Sequence, residues 1–370
     1  MLAFMTAPAE LNYALKVTAP VDMRAAPDLA YRPPRPRRYR PRLGLIGCGG
    51  ISAHHLAAYR DAGWAVTALC DVDETRARRR REEFGLDAPV FTDAADLLAR
   101  ADVDVVDVAL HPEVRAPVLA AALRAGKHVL SQKPFVTDLA TGRELVDLAR
   151  ARGVKLAVNQ NGRWAPYFSY ARAALAAGWL GEVQTVAISI HWDHTWCAGT
   201  PFEDMPHLIL FDFGIHWFDA VAQFFRGRRI LAVQAVTARA PGQTMRPPLQ
   251  AAAQIRFDTG LATLTFDGAS RFAPEERLLI TGTAGTLRSC GKPLESDRVE
   301  LTTAAGTAVA TLEGRWFNDG FRGAMGELLC AIEDDREPAH SAADNLRTVA
   351  LCLAACRAAD TGQPQAPEVP

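Results

Sequence analysis

The first half of the chain alternates between short, unbroken apolar runs and longer segments with helical periodicity. The apolar runs are residues 43–46 and the segments WAVTALCDVD, VDVVDVAL, KHVLSQKP and VKLAVNQN, separated by helical patterns of roughly 10–15 residues. A strand that is apolar along its whole length is typical of a parallel sheet buried on both faces. Strands that alternate with helices therefore predict a doubly wound α/β domain with a parallel sheet.

The pattern changes after about residue 180, where apolar and polar residues alternate with the period of two expected for a half-buried strand. Turn signals at Asp258-Thr259-Gly260 and Ala304-Ala305-Gly306 separate such segments and predict hairpins. Helical periodicity returns at residues 210–225, 321–333 and 343–359. The second half is therefore predicted to be an α/β domain with a largely antiparallel open sheet.

A glycine-rich turn, GCGGIS at residues 47–52, follows the first apolar strand and precedes a helical pattern. The first glycine permits a tight turn, and the second lets the backbone approach a pyrophosphate. The free N–H groups and the positive dipole end of the helix behind the turn favour an anion there. We expect Gly47, Gly49, Gly50 and Ile51 to bind a dinucleotide.

Asp71 ends the next strand, 19 residues after Ser52. A carboxylate at this place accepts hydrogen bonds from the ribose hydroxyls of NAD and repels the 2′-phosphate of NADP. NAD is therefore the predicted cofactor, with NADP left open because Arg76 is close in sequence. A glycine turn and a capping aspartate without a ligand are the simpler alternative, but the strand–turn–helix–strand context favours the dinucleotide.

We predict three parts, because 370 residues exceed one ordinary domain. Residues 1–42 form a basic, proline-rich arm, residues 43–161 a Rossmann NAD(P)-binding domain, and residues 162–370 a catalytic and oligomerisation domain. The arm has eight Lys/Arg against three Asp/Glu in a chain of net charge −1. Its prolines favour an extended conformation, and no aromatic and basic surface follows, so we expect a flexible or partner-embracing arm rather than nucleic-acid binding.

The cysteines and the hydropathy of the chain indicate its compartment. Seven cysteines without a C-x-x-C pair predict reduced thiols in the cytoplasm rather than a disulfide framework or a zinc site. No apolar run reaches the roughly 18 residues that a membrane-spanning helix needs. The first ten residues lack a basic segment followed by a long apolar stretch, so we do not expect a secretory signal.

Two segments carry candidate catalytic groups. Lys133 follows a buried strand and precedes Pro134, so it should emerge at the sheet edge where ligands bind, beside the nicotinamide. In LFDFGIHWFDAVAQFF, Asp212, His216 and Asp219 have the spacing that places them on one helix face. Lys133 or His216 can take the proton of a carbinol, with Asp212 as support. A metal site and a purely structural polar face are the alternatives for the helix, and a surface lysine is the alternative for Lys133.

Two further segments suggest a substrate pocket. NQNGRW ends the last strand of the first domain, so Asn161, Arg163 and Trp164 are predicted to bind substrate hydroxyls and a ring. The segment HWDHTWCAGTPF adds four predicted substrate residues, because indoles beside hydrogen-bonding groups suit a sugar ring: His191, Trp192, His194 and Trp196. Strand alternation should place His191 with Asp193 and Trp192 with His194. Histidines facing solvent or a subunit contact, and a His/Asp/His metal site, remain alternatives.

The motifs GLIGCGGIS, ALCDVD, GKHVLSQKPF and DFGIHWFD together resemble the family of glucose–fructose oxidoreductase, inositol dehydrogenase and rhizopine-catabolism dehydrogenases, often called Gfo/Idh/MocA. The resemblance runs from about residue 43 to residue 362. It implies that Lys133-Pro134 and the Asp212/His216 pair act in proton transfer on a sugar or cyclitol. It also implies a homodimer or homotetramer formed through the C-terminal sheet.

The sequence departs from the family at two places. Gln132 stands where the family usually has Glu, which removes a negative charge beside Lys133 and should make that lysine slightly easier to deprotonate. The segment from His111 to Ala116 lacks the final His of the usual Thr-Pro-x-x-x-His. The resemblance predicts NAD(P)-dependent oxidation or reduction of a sugar, sugar acid or cyclitol. An NAD-assisted glycoside hydrolase or lyase and a non-catalytic NAD(P)-binding regulator are the alternatives.

Overall fold

A computed structural model describes residues 22–369 of the chain. Residues 1–21 of the predicted arm lie outside the described residues. Helices and strands account for most of residues 22–369, and none of these helices is long and apolar enough to cross a membrane.

The first sheet is parallel and has six strands in the order β4-β3-β2-β5-β6-β7. This is the doubly wound order predicted from the alternating pattern, with the strand before the glycine turn near the centre. Its strands are β2 Arg42–Ile46, β3 Ala65–Cys70, β4 Val90–Phe91, β5 Val105–Val108, β6 His128–Ser131 and β7 Leu156–Val158. The connecting helices are α1 Ser52–Ala62, α2 Glu74–Glu83, α3 Ala94–Leu98, α4 Pro112–Arg124 and α5 Leu139–Arg152.

The second sheet has nine strands in the order β1-β15-β14-β13-β12-β8-β11-β10-β9. It is mostly antiparallel, as predicted, although β8 pairs with β11 and β1 with β15 in parallel. Its first strands are β1 Met23–Arg24, β8 Val183–His191, β9 Ile230–Ala238, β10 Gln250–Phe257 and β11 Leu261–Asp267. The remaining strands are β12 Glu275–Gly282, β13 Gly285–Gly291, β14 Arg298–Thr303 and β15 Gly306–Thr311. The two sheets together confirm the predicted fold class.

Four helices accompany the second sheet: α6 Pro166–Ala176, α7 Ile215–Phe224, α8 Trp316–Glu333 and α9 Ala342–Thr361. The helix α8 packs apolar side chains into the same core as strand β2 and helix α1. The helix α9 contributes Leu346 and Val349 to the core beside β6 and Leu351 to the core beneath the second sheet. The last two helices therefore pack against both sheets. The domain boundary predicted between residues 161 and 162 stays a prediction.

The helical stretch predicted for residues 210–225 is present, but its start is not a regular α-helix. Leu208–Phe213 form a π-helical stretch, and the regular helix α7 begins only at Ile215. Gly214 separates the two, at a point where an added Cβ would lie 2.6 Å from the carbonyl oxygen of Ile209. The wider turns of a π-helix change the rotation per residue, so Asp212 leaves the face that α7 presents.

The described part of the arm packs on its own chain, so the expectation of a flexible or partner-embracing arm is wrong for residues 22–42. The strand β1 pairs with β15, and Tyr31 is buried in the core of the second sheet. Farther along, the backbone N–H groups of Arg37 and Arg38 donate to the carboxylate of Glu333 at the end of α8. The basic residues of the arm are thus partly paired with acidic residues of the same chain.

Candidate active site

The glycine turn connects β2 to α1 and leaves open space above its backbone. Gly47 has φ +98°, and an added Cβ there would lie 2.6 Å from the carbonyl oxygen of Ala109, so only glycine fits. A Cβ added at Gly49 or Gly50 would meet nothing within 4 Å. This cradle of exposed backbone at the start of a helix fits a pyrophosphate, which is the part of NAD that such turns hold.

Asp71 lies at the end of β3 beside this turn. It is buried, and its carboxylate accepts hydrogen bonds from the backbone N–H of Cys48 at 2.7 Å and of Asp73 at 2.9 Å. These two bonds hold the carboxylate between the glycine turn and the start of α2. Carboxylate oxygens have lone pairs for further donors, so this placement is suitable for the ribose hydroxyls of NAD.

Arg80 is a residue of this site that was not predicted from the sequence. Its side chain is buried, and its Nε donates to Ser52 Oγ at 2.9 Å. Its Nη2 donates to the carbonyl oxygen of Gly49 at 3.0 Å, and Nη1 pairs with Glu83. The guanidinium thus braces the glycine turn and places a positive charge next to it. One sequence feature is consistent with this role: Arg80 is three residues after the buried Ala77, so the two lie on the same face of α2.

Lys133 and Asp212 come together although 79 positions separate them. Lys133 Nζ donates to the backbone carbonyl oxygen of Asp212 at 2.9 Å and lies 3.2 Å from its Oδ2. Both side chains are mostly buried, and the Lys133–Pro134 peptide bond is cis. Lys133 follows β6 of the first sheet, whereas Asp212 belongs to the π-helical stretch before α7. The ion pair therefore joins the carboxyl edge of the parallel sheet to the second half of the chain.

His216 lies in the first turn of α7, among the indoles of Trp217 and Trp316. Burial lowers its pKa well below its usual range, and the positive charge of Lys133 lowers that pKa further. The imidazole is therefore neutral at neutral pH. Its Nδ1 is buried and has no hydrogen-bond partner among residues 22–369.

A buried carboxylate fixes Trp217, the indole next to His216. Glu276 of β12 accepts a hydrogen bond from Trp217 Nε1 at 2.8 Å and another from the Tyr167 hydroxyl at 2.7 Å. Burial raises the pKa of Glu276 to about 7. This group was not predicted from the sequence, because strand periodicity gives no sign of which inward position tolerates a carboxylate.

An aromatic group lies beside Asp212. The ring of His194 packs against Trp192, Trp196 and Phe213, with centroids 4.9, 6.0 and 3.7 Å away. Burial lowers the pKa of His194 to about 4, so it too is neutral. Trp196 is largely exposed, and Phe202 links it to His111, which follows β5 of the first sheet. These rings border the space between the two halves of the chain near Lys133.

Three residues predicted to bind substrate are instead occupied by contacts within the protein. Asn161 Oδ1 accepts a hydrogen bond from Trp316 Nε1 at 2.8 Å, and Trp164 is buried in the core between α1 and α8. Arg163 forms a buried bidentate ion pair with Asp219 at 2.7 and 2.6 Å. Contacts within the chain thus hold Asn161, Arg163 and Trp164, and the substrate role of these three residues stays a prediction.

Asp219 and His191 are the remaining predicted residues. Asp219 faces Arg163 rather than Lys133, so the expected shared face of Asp212, His216 and Asp219 is also wrong. His191 ends β8, where its backbone lies between Asp267 and Glu275 of the neighbouring strands, and its side chain is partly exposed. Residues 22–369 hold no group of three or more His, Cys, Asp or Glu side chains that is arranged to bind a metal ion.

Comparison with known families identifies the two halves of the chain separately. Residues 41–160 match the oxidoreductase family with an NAD-binding Rossmann fold, GFO_IDH_MocA. Residues 168–288 match the GFO/IDH/MocA C-terminal domain. The first match confirms the predicted cofactor class, because it covers the glycine turn and Asp71.

Individual relatives extend over most of the chain. A D-apiose dehydrogenase from Paraburkholderia graminis is 30% identical in an alignment over 340 residues, which covers 86% of this chain and 88% of that protein. A 1,5-anhydro-D-fructose reductase from Ensifer adhaerens is 27% identical, over 87% of this chain and 97% of that protein. The crystal structure of an oxidoreductase from Agrobacterium radiobacter in complex with NAD⁺, L-tartaric acid and magnesium superposes with a TM-score of 0.79. It is 25% identical, over 88% of this chain and 98% of that one.

Proposed function

The chain belongs to the GFO/IDH/MocA oxidoreductase family, and on this premise we propose that it oxidises a secondary alcohol of a sugar, sugar acid or cyclitol, or reduces the corresponding ketone. The observation that carries the proposal is the pairing of Lys133 with Asp212 at the carboxyl edge of the NAD-binding sheet. Ligands of open α/β sheets bind at this edge.

Residues of the first half would hold NAD. The backbone of Gly47, Gly49, Gly50 and Ile51 would receive its pyrophosphate and Asp71 its ribose, while the Lys133-Pro134 turn would border the nicotinamide. Bound there, NAD supplies the hydride acceptor, and NADH the donor, for carbinol–ketone chemistry.

We propose that Lys133 exchanges the proton of the substrate hydroxyl: its ammonium donates this proton when the ketone is reduced, and its neutral amine accepts it when the carbinol is oxidised. The carbinol must lose this proton as it becomes a ketone, so a basic group has to lie beside the reacting oxygen. Asp212 holds the lysine at 3.2 Å and keeps a negative charge close to it. His216 is a neutral hydrogen-bonding group beside the same space, and it would orient the hydroxyl or share in its proton transfer.

The proposed substrate class follows from the rings around His194. The faces of a sugar ring are apolar and its rim is polar, so it packs on indoles while its hydroxyls bond to neighbouring polar groups. Trp192 and Trp196 supply such surfaces, and His194 supplies the polar group. The D-apiose and 1,5-anhydro-D-fructose enzymes among the relatives act on compounds of this class by their names.

The test is a panel of sugars, sugar acids and cyclitols assayed with NAD and NADP by nicotinamide absorbance. We expect turnover with at least one neutral polyol and NAD. The variant Lys133→Met should lose at least about a hundredfold in kcat, the usual range for general acid–base catalysis, while it still binds NADH by fluorescence titration. Near-normal turnover by this variant would overturn the proton-transfer role.

Two other outcomes would replace the proposal. Product formation without net change in nicotinamide absorbance would indicate the NAD-assisted hydrolase or lyase. Tight NADH binding without turnover of any compound in the panel would instead favour the regulator.

We further propose a cytoplasmic homodimer or homotetramer that assembles through the second sheet. All seven cysteines are free, which suits a reducing compartment. The sheet keeps apolar side chains in contact with solvent, among them Val236, Leu261 and Leu279. Sedimentation of the wild type and of Leu279→Glu tests the assembly, because a charge at the interface should lower the mass of the particle. A monomeric wild type would refute it.

A further inference from the structure

Arg115 is a buried cation outside the proposed cofactor-binding, substrate-binding and proton-transfer groups. It lies in the first turns of α4, just after β5, with 1% of its surface exposed. Its Nε donates to the carbonyl oxygen of Leu110 at 3.0 Å, and Nη1 donates to that of Gln132 at 2.6 Å. The guanidinium also donates to the carbonyl of Pro134 and lies 3.4 Å from that of Lys133.

These partners are backbone carbonyls of two different loops, and none of them is a carboxylate. Burial lowers the pKa of Arg115 to about 9, so the side chain still carries its charge at neutral pH. A buried charge costs several kcal/mol unless its donors are satisfied. The fork of guanidinium N–H groups satisfies this need only if the loop after β5 and the turn after β6 keep their present positions.

The same turn is anchored from another direction. Gln132 Oε1 accepts a hydrogen bond from the backbone N–H of Lys133 at 2.8 Å and another from Asn159 Nδ2 at 3.1 Å. The carbonyls of residues 132–134 are therefore held by Arg115, and the Gln132 side chain is held by Asn159, which follows β7. Between these anchors, only the side chain of Lys133 extends toward Asp212.

We propose that Arg115 is a positioning residue, which fixes the Gln132–Pro134 turn so that Lys133 Nζ meets Asp212 and the substrate hydroxyl. This inference rests on the proposed function of Lys133. It also accounts for the departure at residues 111–116, where the expected histidine is missing and an arginine stands one position earlier.

The test combines Arg115→Ala with guanidinium rescue. A displacement of about 1 Å in a catalytic group costs roughly a hundredfold in rate, so kcat should fall by about that factor while the Kd for NADH changes less than about twofold. Guanidinium chloride at low millimolar concentration should restore at least about tenfold of kcat in this variant and none in Lys133→Met. Arg115→Lys should stay impaired, because an ammonium lacks the planar fork that joins the two loops.

Arg124→Ala is the matched control, since Arg124 is an exposed arginine at the other end of α4 and should keep wild-type kcat. If Arg115→Ala lowers the melting temperature but leaves kcat unchanged, Arg115 is a structural residue and the inference fails.

A second readout needs no substrate, so it separates this inference from the proposed function. The chain has five lysines, and selective ¹³Cε-lysine labelling therefore gives an NMR spectrum in which Lys133 is identified by its loss in Lys133→Met. Arg115→Ala should shift the Lys133 signal and guanidinium should return it, whereas Arg124→Ala should leave it in place. An unshifted Lys133 signal in Arg115→Ala would overturn the positioning role, whatever the enzyme acts on.

Discussion

The substitution of Asp219 tests whether this polar residue of α7 stabilises the fold or takes part in catalysis. Its carboxylate and the Arg163 guanidinium are 2% and 1% exposed, and two hydrogen bonds of 2.7 and 2.6 Å join them. Thr348 donates a third bond to the same carboxylate at 2.8 Å. The substitution Asp219→Asn removes the negative charge and leaves the arginine buried.

The expected loss of stability can be estimated from this geometry. Removing one partner of a buried ion pair costs about 3–5 kcal/mol. Asp344 Oδ2 remains 2.8 Å from the guanidinium, so the lower end, about 3 kcal/mol, applies. With an unfolding entropy of roughly 2.1 cal/mol/K per residue, a chain of 370 residues loses about 1.3 °C per kcal/mol, so the melting temperature should fall by about 4 °C.

The assay is thermal unfolding by circular dichroism, together with kcat at a temperature well below the transition. Asp219→Asn should keep kcat within about threefold of the wild type, because Asp219 contacts neither Lys133 nor the ring of His216. Asp212→Asn should show the opposite pattern, with low kcat and a nearly unchanged melting temperature. A large fall of kcat in Asp219→Asn without loss of stability would refute the division and return Asp219 to the catalytic group.

Three further predictions concern the cofactor site and the core. Asp71→Ser should lower the preference for NAD over NADP at least about tenfold in kcat/KM, because the ribose carboxylate is gone; an unchanged ratio would show that Asp71 does not contact the ribose. Arg80→Met should raise KM for NAD about tenfold with little change in kcat. The control Arg79→Met, at an exposed position of the same helix, should change neither constant. Equal changes of KM in the two variants would contradict the role of Arg80 in holding the glycine turn. Glu276 has a raised pKa of about 7 in the fold, so its contribution to stability is present below its unfolded pKa of about 4.5 and is lost as the pH rises to 7. Urea unfolding should therefore show the wild type losing about 3 kcal/mol relative to Glu276→Gln between pH 4.5 and 7.5, and parallel pH curves would show that Glu276 is not a buried, destabilised carboxylate.

The local features of the first domain were predictable from the sequence. Strands that are apolar throughout must be buried on both faces, and the helices between them leave only a parallel, doubly wound arrangement. The glycine turn at residues 47–52 and Asp71 have fixed roles, because both depend on short-range backbone geometry. Gly47 is the clearest case, since its φ of +98° follows from a tight turn between strand and helix.

The partners of polar side chains were not predictable in the same way. The spacing of Asp212, His216 and Asp219 describes a regular helix, but the π-helical stretch before Ile215 turns Asp212 toward Lys133 and leaves Asp219 facing Arg163. Neither Arg80 nor Arg115 was predicted from the sequence as a buried residue. Their burial depends on which loops their helices cover, and no local pattern records that.

The sequence by itself determined the fold class, the cofactor site and the family, because these depend on periodicity and on short motifs whose geometry is set within a few residues. Tertiary structure alone decided which charged groups meet in the site. A buried charge takes whichever partner the packing of distant elements brings within about 3 Å, since leaving it unpaired costs several kcal/mol. Lys133 and Asp212, which are 79 positions apart, form a pair for this reason. Arg163 pairs with Asp219 for the same reason.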